Sequence, residues 1–193
     1  MAKNPYGWMW GSLGCSCCDG LGPEVCVLVY PTAASSKGVA GTIAWNNVGR
    51  VTVKDLSDAS TASALTNAQT ADTIQASGYT FSLPSDATIT RVNTIVTLRQ
   101  NSDLPEGTFV GFSGFNSDVV FAGVHYSGTM GGTWGGFDAD YTLLYSGTMP
   151  PVADVNAGAS LEVSFNPVSI QAGHSTQGSI DAIALQVCYR RPA

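Results

Sequence analysis

Three of the chain's five cysteines stand within four residues, in the stretch GCSCCDG at residues 14–20. Structural zinc sites usually separate paired cysteines by two or more residues, whereas Cys17 and Cys18 are adjacent and Cys15 is one residue further off. Adjacent residues are also too close for an unstrained disulfide. Three interpretations stay open for Cys15, Cys17, Cys18, Cys26 and Cys188: free thiols, metal ligands, or disulfides, some of them between chains.

The remaining chemically active residues form no recognisable catalytic motif. His125 and His174 stand at no metal-ligand spacing from another His, Cys or carboxylate. Asp138 and Asp140 have a D-x-D spacing, but the glycine and the closing glutamate of a calcium loop are missing. No P-loop, G-x-S-x-G or dinucleotide-binding pattern occurs. The sequence therefore predicts no enzyme, no cofactor and no resident metal.

Composition excludes several classes of protein. With eight Lys and Arg residues and a net charge of −6, the chain has little means of neutralising phosphates, so we expect no nucleic-acid partner. No apolar run approaches the roughly 20 residues of a membrane-spanning helix. The apolar stretch at residues 6–11 is short and interrupted by glycine, which does not indicate a signal peptide. We expect synthesis in a cytoplasm and no membrane contact.

Apolar periodicity predicts an all-β chain with negligible helix. In LEVSF, at residues 161–165, apolar residues alternate with Glu and Ser. In IDAIALQVCY, at residues 180–189, alternation places Ile183, Leu185 and Val187 on one face and Cys188 on the other. A further strand is predicted at residues 119–125 and a turn or loop at residues 35–38. Seven to nine strands at this spacing favour a sandwich or jelly roll.

Two segments differ from the predicted strands in composition and in the spacing of their apolar residues. Residues 1–23 are rich in Gly, Cys and aromatics without strand or helix period, and they predict an N-terminal arm before a β-sandwich domain at 24–193. Tyr6, Trp8, Met9 and Trp10 give the arm apolar surface, which either a partner or the chain's own sandwich would bury. A Gly-rich loop contains Trp134 and Phe137, which either face a ligand or cap the end of the sandwich.

A long part of the chain resembles a β-sandwich module of tailed-bacteriophage virion proteins. The similarity rests on SALTNAQTADTIQASGYTFSLPSDATITRVNTIVTLR at residues 63–99, on ADVNAGASLEVSFNP at residues 153–167, and on the closing IDAIALQVCY. It covers roughly residues 40–190. The resemblance implies an antiparallel, jelly-roll-like sandwich and brings no catalytic residues with it. The N-terminal cysteines lie outside the similar region.

The resemblance implies a structural, non-enzymatic virion component, such as a capsid decoration, neck or tail appendage protein. Such a protein would dock through its arm onto other virion proteins and copies of itself, as a homo-oligomer of threefold or higher local symmetry. Lysis would expose it to oxidising surroundings, where Cys15, Cys17 or Cys18 crosslinks chains and Cys26 and Cys188 join the network. The alternative is a carbohydrate- or receptor-binding module that meets a surface glycan through Trp134 and Phe137.

Overall fold

The computed structural model describes residues 21–102, 111–131, 139–170 and 172–193, and the regular secondary structure of these segments is mostly β. They contain a five-residue 3-10 helix at Val48–Thr52 and a five-residue α-helix, α1, at Val152–Asn156. The strands, in chain order, are β1 (Val25–Val29), β2 (Ala33–Lys37), β3 (Trp45–Asn46), β4 (Ala59–Thr61), β5 (Thr73–Tyr79), β6 (Thr88–Ser102), β7 (Gly111–Phe112), β8 (Gly114–Phe121), β9 (Val124–Gly131), β10 (Ala139–Leu144), β11 (Ala159–Phe165), β12 (Val168–Ser169) and β13 (Thr176–Arg190).

The strands form two main antiparallel sheets. The first has the order β10-β6-β13-β4-β3, and β1 also pairs with β13. Because β4 contacts only the first half of β13 and β1 only the second half, the two short strands lie along the same edge of β13. The second sheet has the order β2-β5-β11-β8-β9, and a small third ladder joins β12 to β7. The prediction of an all-β fold built from antiparallel sheets is confirmed.

One hydrophobic core receives side chains from both sheets. Ile183, Leu185 and Val187 of β13 are fully buried in it, as their alternation predicts. On β11 the side chains that alternate with Glu162 and Ser164 are buried, so the predicted amphipathic strand is also confirmed. Apolar burial of this kind is the main driving force for packing two sheets together.

A polar group also bridges the two sheets inside the core. Thr94 of β6 shares hydrogen bonds with Ser117 of β8 at 2.8 Å and with the Tyr145 hydroxyl at 2.6 Å. Burial raises the pKa of Tyr145 to about 12, so the phenol stays protonated and can donate. Buried polar atoms are tolerated when they are paired, as these three hydroxyls are.

Two local predictions are wrong. Residues 119–125 do not form one strand, because Ala122 and Gly123 both have positive φ and turn β8 into β9. Two consecutive positive φ values are the geometry of a tight hairpin turn. Residues 35–38 are not simply a loop, because β2 pairs with β5 over five residues from Ala33 to Lys37. Sheet hydrogen bonds here override the weak strand propensity of Ala, Ser and Lys.

A β-bulge fixes the loop that precedes β4. The register between β13 and β6 shifts between Ile180 and Ala182, which leaves Asp181 as an extra residue. Its buried carboxylate accepts hydrogen bonds from the backbone N–H of Asp55, at 3.2 Å, and of Leu56, at 2.8 Å. The bulge thereby aims an acidic side chain at the backbone N–H groups of this loop.

Among the described residues, no helix has the length and apolar character needed to cross a membrane.

Candidate functional site

Cys26 and Cys188 form a disulfide between β1 and β13. They are direct partners in the antiparallel register, with Cα atoms 4.0 Å apart and 162 residues of sequence between them. Val187 projects into the core, so Cys188 projects from the opposite face of its strand, as predicted. Cys188 is nevertheless 0% exposed, whereas Cys26 is exposed on its short strand. The two half-cystines therefore differ in solvent accessibility, with Cys26 accessible and Cys188 not.

An ion pair lies beside the disulfide. Arg91 of β6 lies opposite Cys188, and a second register shift just beyond this pair, between Cys188 and Tyr189, makes Thr90 the extra residue. Glu24 accepts a hydrogen bond from Thr90 Oγ1 at 2.6 Å and another from the Arg91 guanidinium. These bonds, first that of Thr90 and then that of Arg91, hold the pKa of Glu24 below its usual value, so the carboxylate is charged at neutral pH.

The two ends of the described chain meet next to this ion pair. Leu21 forms a β-bridge with Pro192, and the Gly22 N–H donates to the Arg191 carbonyl at 2.6 Å. The Arg191 guanidinium in turn donates to both oxygens of Asp86, at 3.0 and 3.1 Å, and lowers the pKa of that carboxyl. We call this region the N-terminal junction, defined as residues 21–26 together with Arg91 and residues 188–193. A cleft of about 520 Å³ opens in it.

The cleft of the N-terminal junction is lined mainly by small and apolar residues. Its walls are formed by Gly22, Pro23, Val25, Tyr189, Arg191, Pro192 and Ala193. Val25 is 45% exposed there, which is high for a strand valine. An exposed apolar cleft of this kind suits contact with an apolar segment of another chain.

Two acidic side chains that could be metal ligands are already paired with basic side chains. A carboxylate oxygen of Glu24 lies within 4.8 Å of the Sγ atoms of Cys26 and Cys188. The two sulfurs are bonded to each other, however, and the carboxylate is paired with Arg91. Asp140 accepts hydrogen bonds from Lys54 Nζ at 2.7 Å and from Thr97 Oγ1 at 2.6 Å, and both lower its pKa. Asp138 lies outside the described residues. Neither group therefore offers a free set of ligands in the described part of the chain.

A second surface carries polar side chains in register across four strands of the second sheet. Gln75, Glu162, Asp118 and Ser127 follow one another across β5, β11, β8 and β9, and we call this row the polar ladder. Gln75 Nε2 donates to Glu162 at 2.6 Å, and Ser127 Oγ donates to Asp118 at 2.7 Å. Two shallow depressions, of about 320 and 390 Å³, lie along the row.

Lys37 and His125 extend the polar ladder through contacts with its two carboxylates. Lys37 Nζ donates to Glu162 at 3.1 Å, and His125 Nδ1 lies 2.7 Å from Asp118. The pKa of Glu162 is lowered first by the Gln75 hydrogen bond and then by that of Lys37. The face therefore presents amide, hydroxyl and carboxylate groups at fixed strand spacing, which suits hydrogen bonding to a hydroxyl-rich ligand.

The structure brings together only part of the predicted site. Of the five cysteines, it describes Cys26 and Cys188, and these pair with each other. The other predicted site residues lie outside the described residues: Cys15, Cys17, Cys18, Tyr6, Trp8, Met9, Trp10, Trp134 and Phe137. Glu24 and Arg91 were not predicted, because they lie 67 positions apart in the sequence and meet only through the pairing of β1 and β6 with β13.

A comparison of the chain with protein-family models, with curated proteins and with solved structures finds no match.

Proposed function

We propose that this chain is a structural, non-enzymatic component of a tailed-bacteriophage virion, of the capsid decoration, neck or tail appendage kind. It docks through an N-terminal arm, residues 1–23, and its sandwich is of the jelly-roll kind. Its partners are other virion proteins and further copies of itself in a ring of threefold or higher local symmetry. The proposal begins from the resemblance of residues 40–190 to phage β-sandwich modules.

The observation that most supports docking through the N-terminus is the reinforcement of the N-terminal junction. An arm that holds a partner must be attached firmly to the body that it holds. Here the first described residues are fastened by a backbone hydrogen bond to Arg191, an ion pair between Glu24 and Arg91, and the Cys26–Cys188 disulfide. A disulfide usually contributes about 2–4 kcal/mol, far more than an exposed ion pair.

Apolar composition of the arm supplies the means of docking. Tyr6, Trp8, Met9 and Trp10 are large apolar side chains within five residues, and aromatic residues dominate the binding energy of many interfaces. The apolar cleft of the N-terminal junction lies where residue 21 enters the sandwich. A partner that covers both would bury a continuous apolar surface.

The experiment compares particle attachment and crosslinking in three full-length forms. These are the wild type, a variant with Trp8 and Trp10 changed to Ala, and a variant with Cys15, Cys17 and Cys18 changed to Ser. After free thiols are blocked, purified assemblies are run with and without reductant. We expect the tryptophan variant to lose attachment and the serine variant to lose reductant-sensitive oligomers. A wild-type protein that is monomeric and fails to attach to particles contradicts the proposal.

The polar ladder supports a second candidate, a module that binds a surface carbohydrate. Its hydrogen-bonding groups match sugar hydroxyls, and Trp134 and Phe137 would supply the stacking surfaces that sugar rings require. Glycan-array binding by the wild type, weakened at least about tenfold by Gln75→Ala, would favour this candidate. A Thr80→Ala variant, away from the ladder, serves as the matched control.

A further inference from the structure

We propose that the Cys26–Cys188 disulfide is a thiol–disulfide exchange site. A thiolate from the N-terminal arm of a neighbouring copy attacks Cys26 Sγ, and Cys188 is the leaving group. The inference rests on the proposed function and deepens it, because it states how copies become crosslinked. It also removes the need for an external oxidant in the crosslinking step.

The unequal burial of the two cysteines selects the sulfur that is attacked. A thiolate must approach along the S–S axis, so it attacks the accessible sulfur and expels the other. Cys26 is exposed on β1, which pairs with β13 alone among the described strands. Cys188 is 0% exposed, between β1 and β6 on the long strand β13. Attack at Cys26 is therefore open and attack at Cys188 is blocked.

The exchange balances without an added oxidant or reductant. The bond between the arm sulfur and Cys26 Sγ forms as the bond between Cys26 Sγ and Cys188 Sγ breaks. The electron pair of the broken bond goes to Cys188, whose thiolate then takes a proton from water. One disulfide is consumed and one is formed, so no net oxidation occurs.

The arm supplies thiols suited to the attack. Cys15, Cys17 and Cys18 lie within four residues, and adjacent cysteines cannot pair with each other without strain. Three cysteines cannot all pair among themselves, so at least one of them remains a thiol for a sulfur on another chain. Cys15 is flanked by Gly14 and Ser16, which impose no bulky side chain next to that nucleophile.

The exchange gives up the stabilisation that the Cys26–Cys188 bond provides, but β1 keeps other links to β13. Five residue pairs, from Val25–Tyr189 to Val29–Leu185, keep these strands in register through the backbone. The hydrogen bond from the Gly22 N–H to the Arg191 carbonyl also holds the segment that precedes β1. A released Cys188 is then a small buried thiol, which packs as a weakly polar hydrophobe.

Glu24 and Arg91 set the rate in opposite directions. The Glu24 carboxylate lies within 4.8 Å of both sulfurs and repels an incoming thiolate, while Arg91 offsets part of its charge. For unit charges at this separation in a solvent-exposed setting, the effect on rate is about three- to tenfold. Glu24→Gln should therefore accelerate exchange by about that factor, and Arg91→Gln should slow it.

The first test maps exchange with reduced glutathione as the probe. Full-length protein with Cys15, Cys17 and Cys18 changed to Ser is incubated without oxygen, quenched by alkylation during unfolding, and analysed by peptide mass spectrometry. We expect glutathione on Cys26 to exceed glutathione on Cys188 by about tenfold or more, with Cys188 alkylated. Glu24→Gln and Arg91→Gln are compared in this background, with Asp86→Asn as the control that removes a nearby carboxylate from a different ion pair.

Several results overturn the inference. One is glutathione on Cys188 in equal or greater amount, and another is no adduct on the folded protein when the unfolded protein reacts fully. Equal rates for the Glu24 and Arg91 variants refute the electrostatic part.

The second test uses a mixture of isotope-labelled and unlabelled wild-type chains, concentrated without oxygen. We expect labelled arm peptides joined to unlabelled Cys26, with Cys188 free. Links from arm to arm with the Cys26–Cys188 bond retained refute the exchange but leave the proposed function standing. Absence of every interchain link contradicts both the exchange partner named here and the crosslinks of the proposed function.

Discussion

Reduction of the Cys26–Cys188 disulfide should lower the free energy of unfolding substantially. The bond joins residues 162 positions apart, so it closes almost the whole described chain into a single loop. In the chain-entropy treatment, a loop of this length restricts the unfolded state by about 5 kcal/mol. Measured values are commonly smaller, about 2–4 kcal/mol, because unfolded chains keep residual structure. We therefore expect a loss of about 3–5 kcal/mol.

The assay is guanidinium unfolding followed by circular dichroism, with the oxidised and the reduced protein compared at the same pH. Reduction is a cleaner perturbation than serine substitution, because Cys188 is fully buried and a serine hydroxyl there would need a new partner. We also expect a larger m-value for the reduced protein, since its unfolded chain exposes more surface. The variant with Cys15, Cys17 and Cys18 changed to Ser should retain the full difference between the two states.

The result that refutes this reasoning is a difference below about 1 kcal/mol together with equal m-values, in a sample whose disulfide is verified by mass spectrometry. Such a result would mean that the unfolded chain already keeps its two ends together. A difference in the serine variant much smaller than in the wild type would instead assign the stabilisation to the other three cysteines.

Three further predictions concern the sandwich itself. Asp181→Ala should destabilise the protein by about 1–3 kcal/mol in chemical unfolding, because two loop N–H groups lose their buried acceptor, whereas an exposed Asp55→Ala change should cost less. Gly114→Ala should cost more than Gly123→Ala, since both glycines have positive φ but only at Gly114 would a Cβ collide with the Met130 carbonyl; equal melting temperatures would contradict this. Stability should decline as pH falls below about 4, because carboxyl groups whose folded pKa is lowered stabilise the fold above their unfolded pKa and lose that contribution as they protonate. A pH series of unfolding curves checks this, and the groups are Glu24, Asp72, Asp86, Asp140 and Glu162.

Strands could be predicted from the sequence wherever one face of the strand is buried and the other is exposed to solvent. Alternation at residues 161–165 and in the second half of β13 identified the core side chains, because side-chain direction along a strand is a local property. The hairpin at Ala122 and Gly123 was missed, since this pair is a weaker turn signal than Asn-Gly or Asp-Gly. β2 was missed because its small polar residues gain strand structure from pairing with β5.

The candidate site was less predictable, because it depends on contacts between distant residues. Sequence alone left the partners of Cys26 and Cys188 open, since five cysteines permit many pairings. The orientation of Cys188 was predicted correctly from its strand. Its burial was not, because that depends on the neighbouring strands on both sides. Glu24 and Arg91 meet across β13, because β1 and β6 both pair with that strand.

The position of the disulfide determines how a mechanical force on the ends of the chain is transmitted. Leu21 and Pro192 meet at one end of the sandwich, and Cys26 is covalently joined to Cys188 just inside them. Tension between the N-terminal and C-terminal segments therefore passes from β1 to β13 through two sulfur atoms and bypasses residues 27–187. Such a pull can peel apart only the few residues outside the bond, while every other strand and the hydrophobic core stay unloaded. The sandwich is thus mechanically insulated from forces along that axis for as long as the bond is intact.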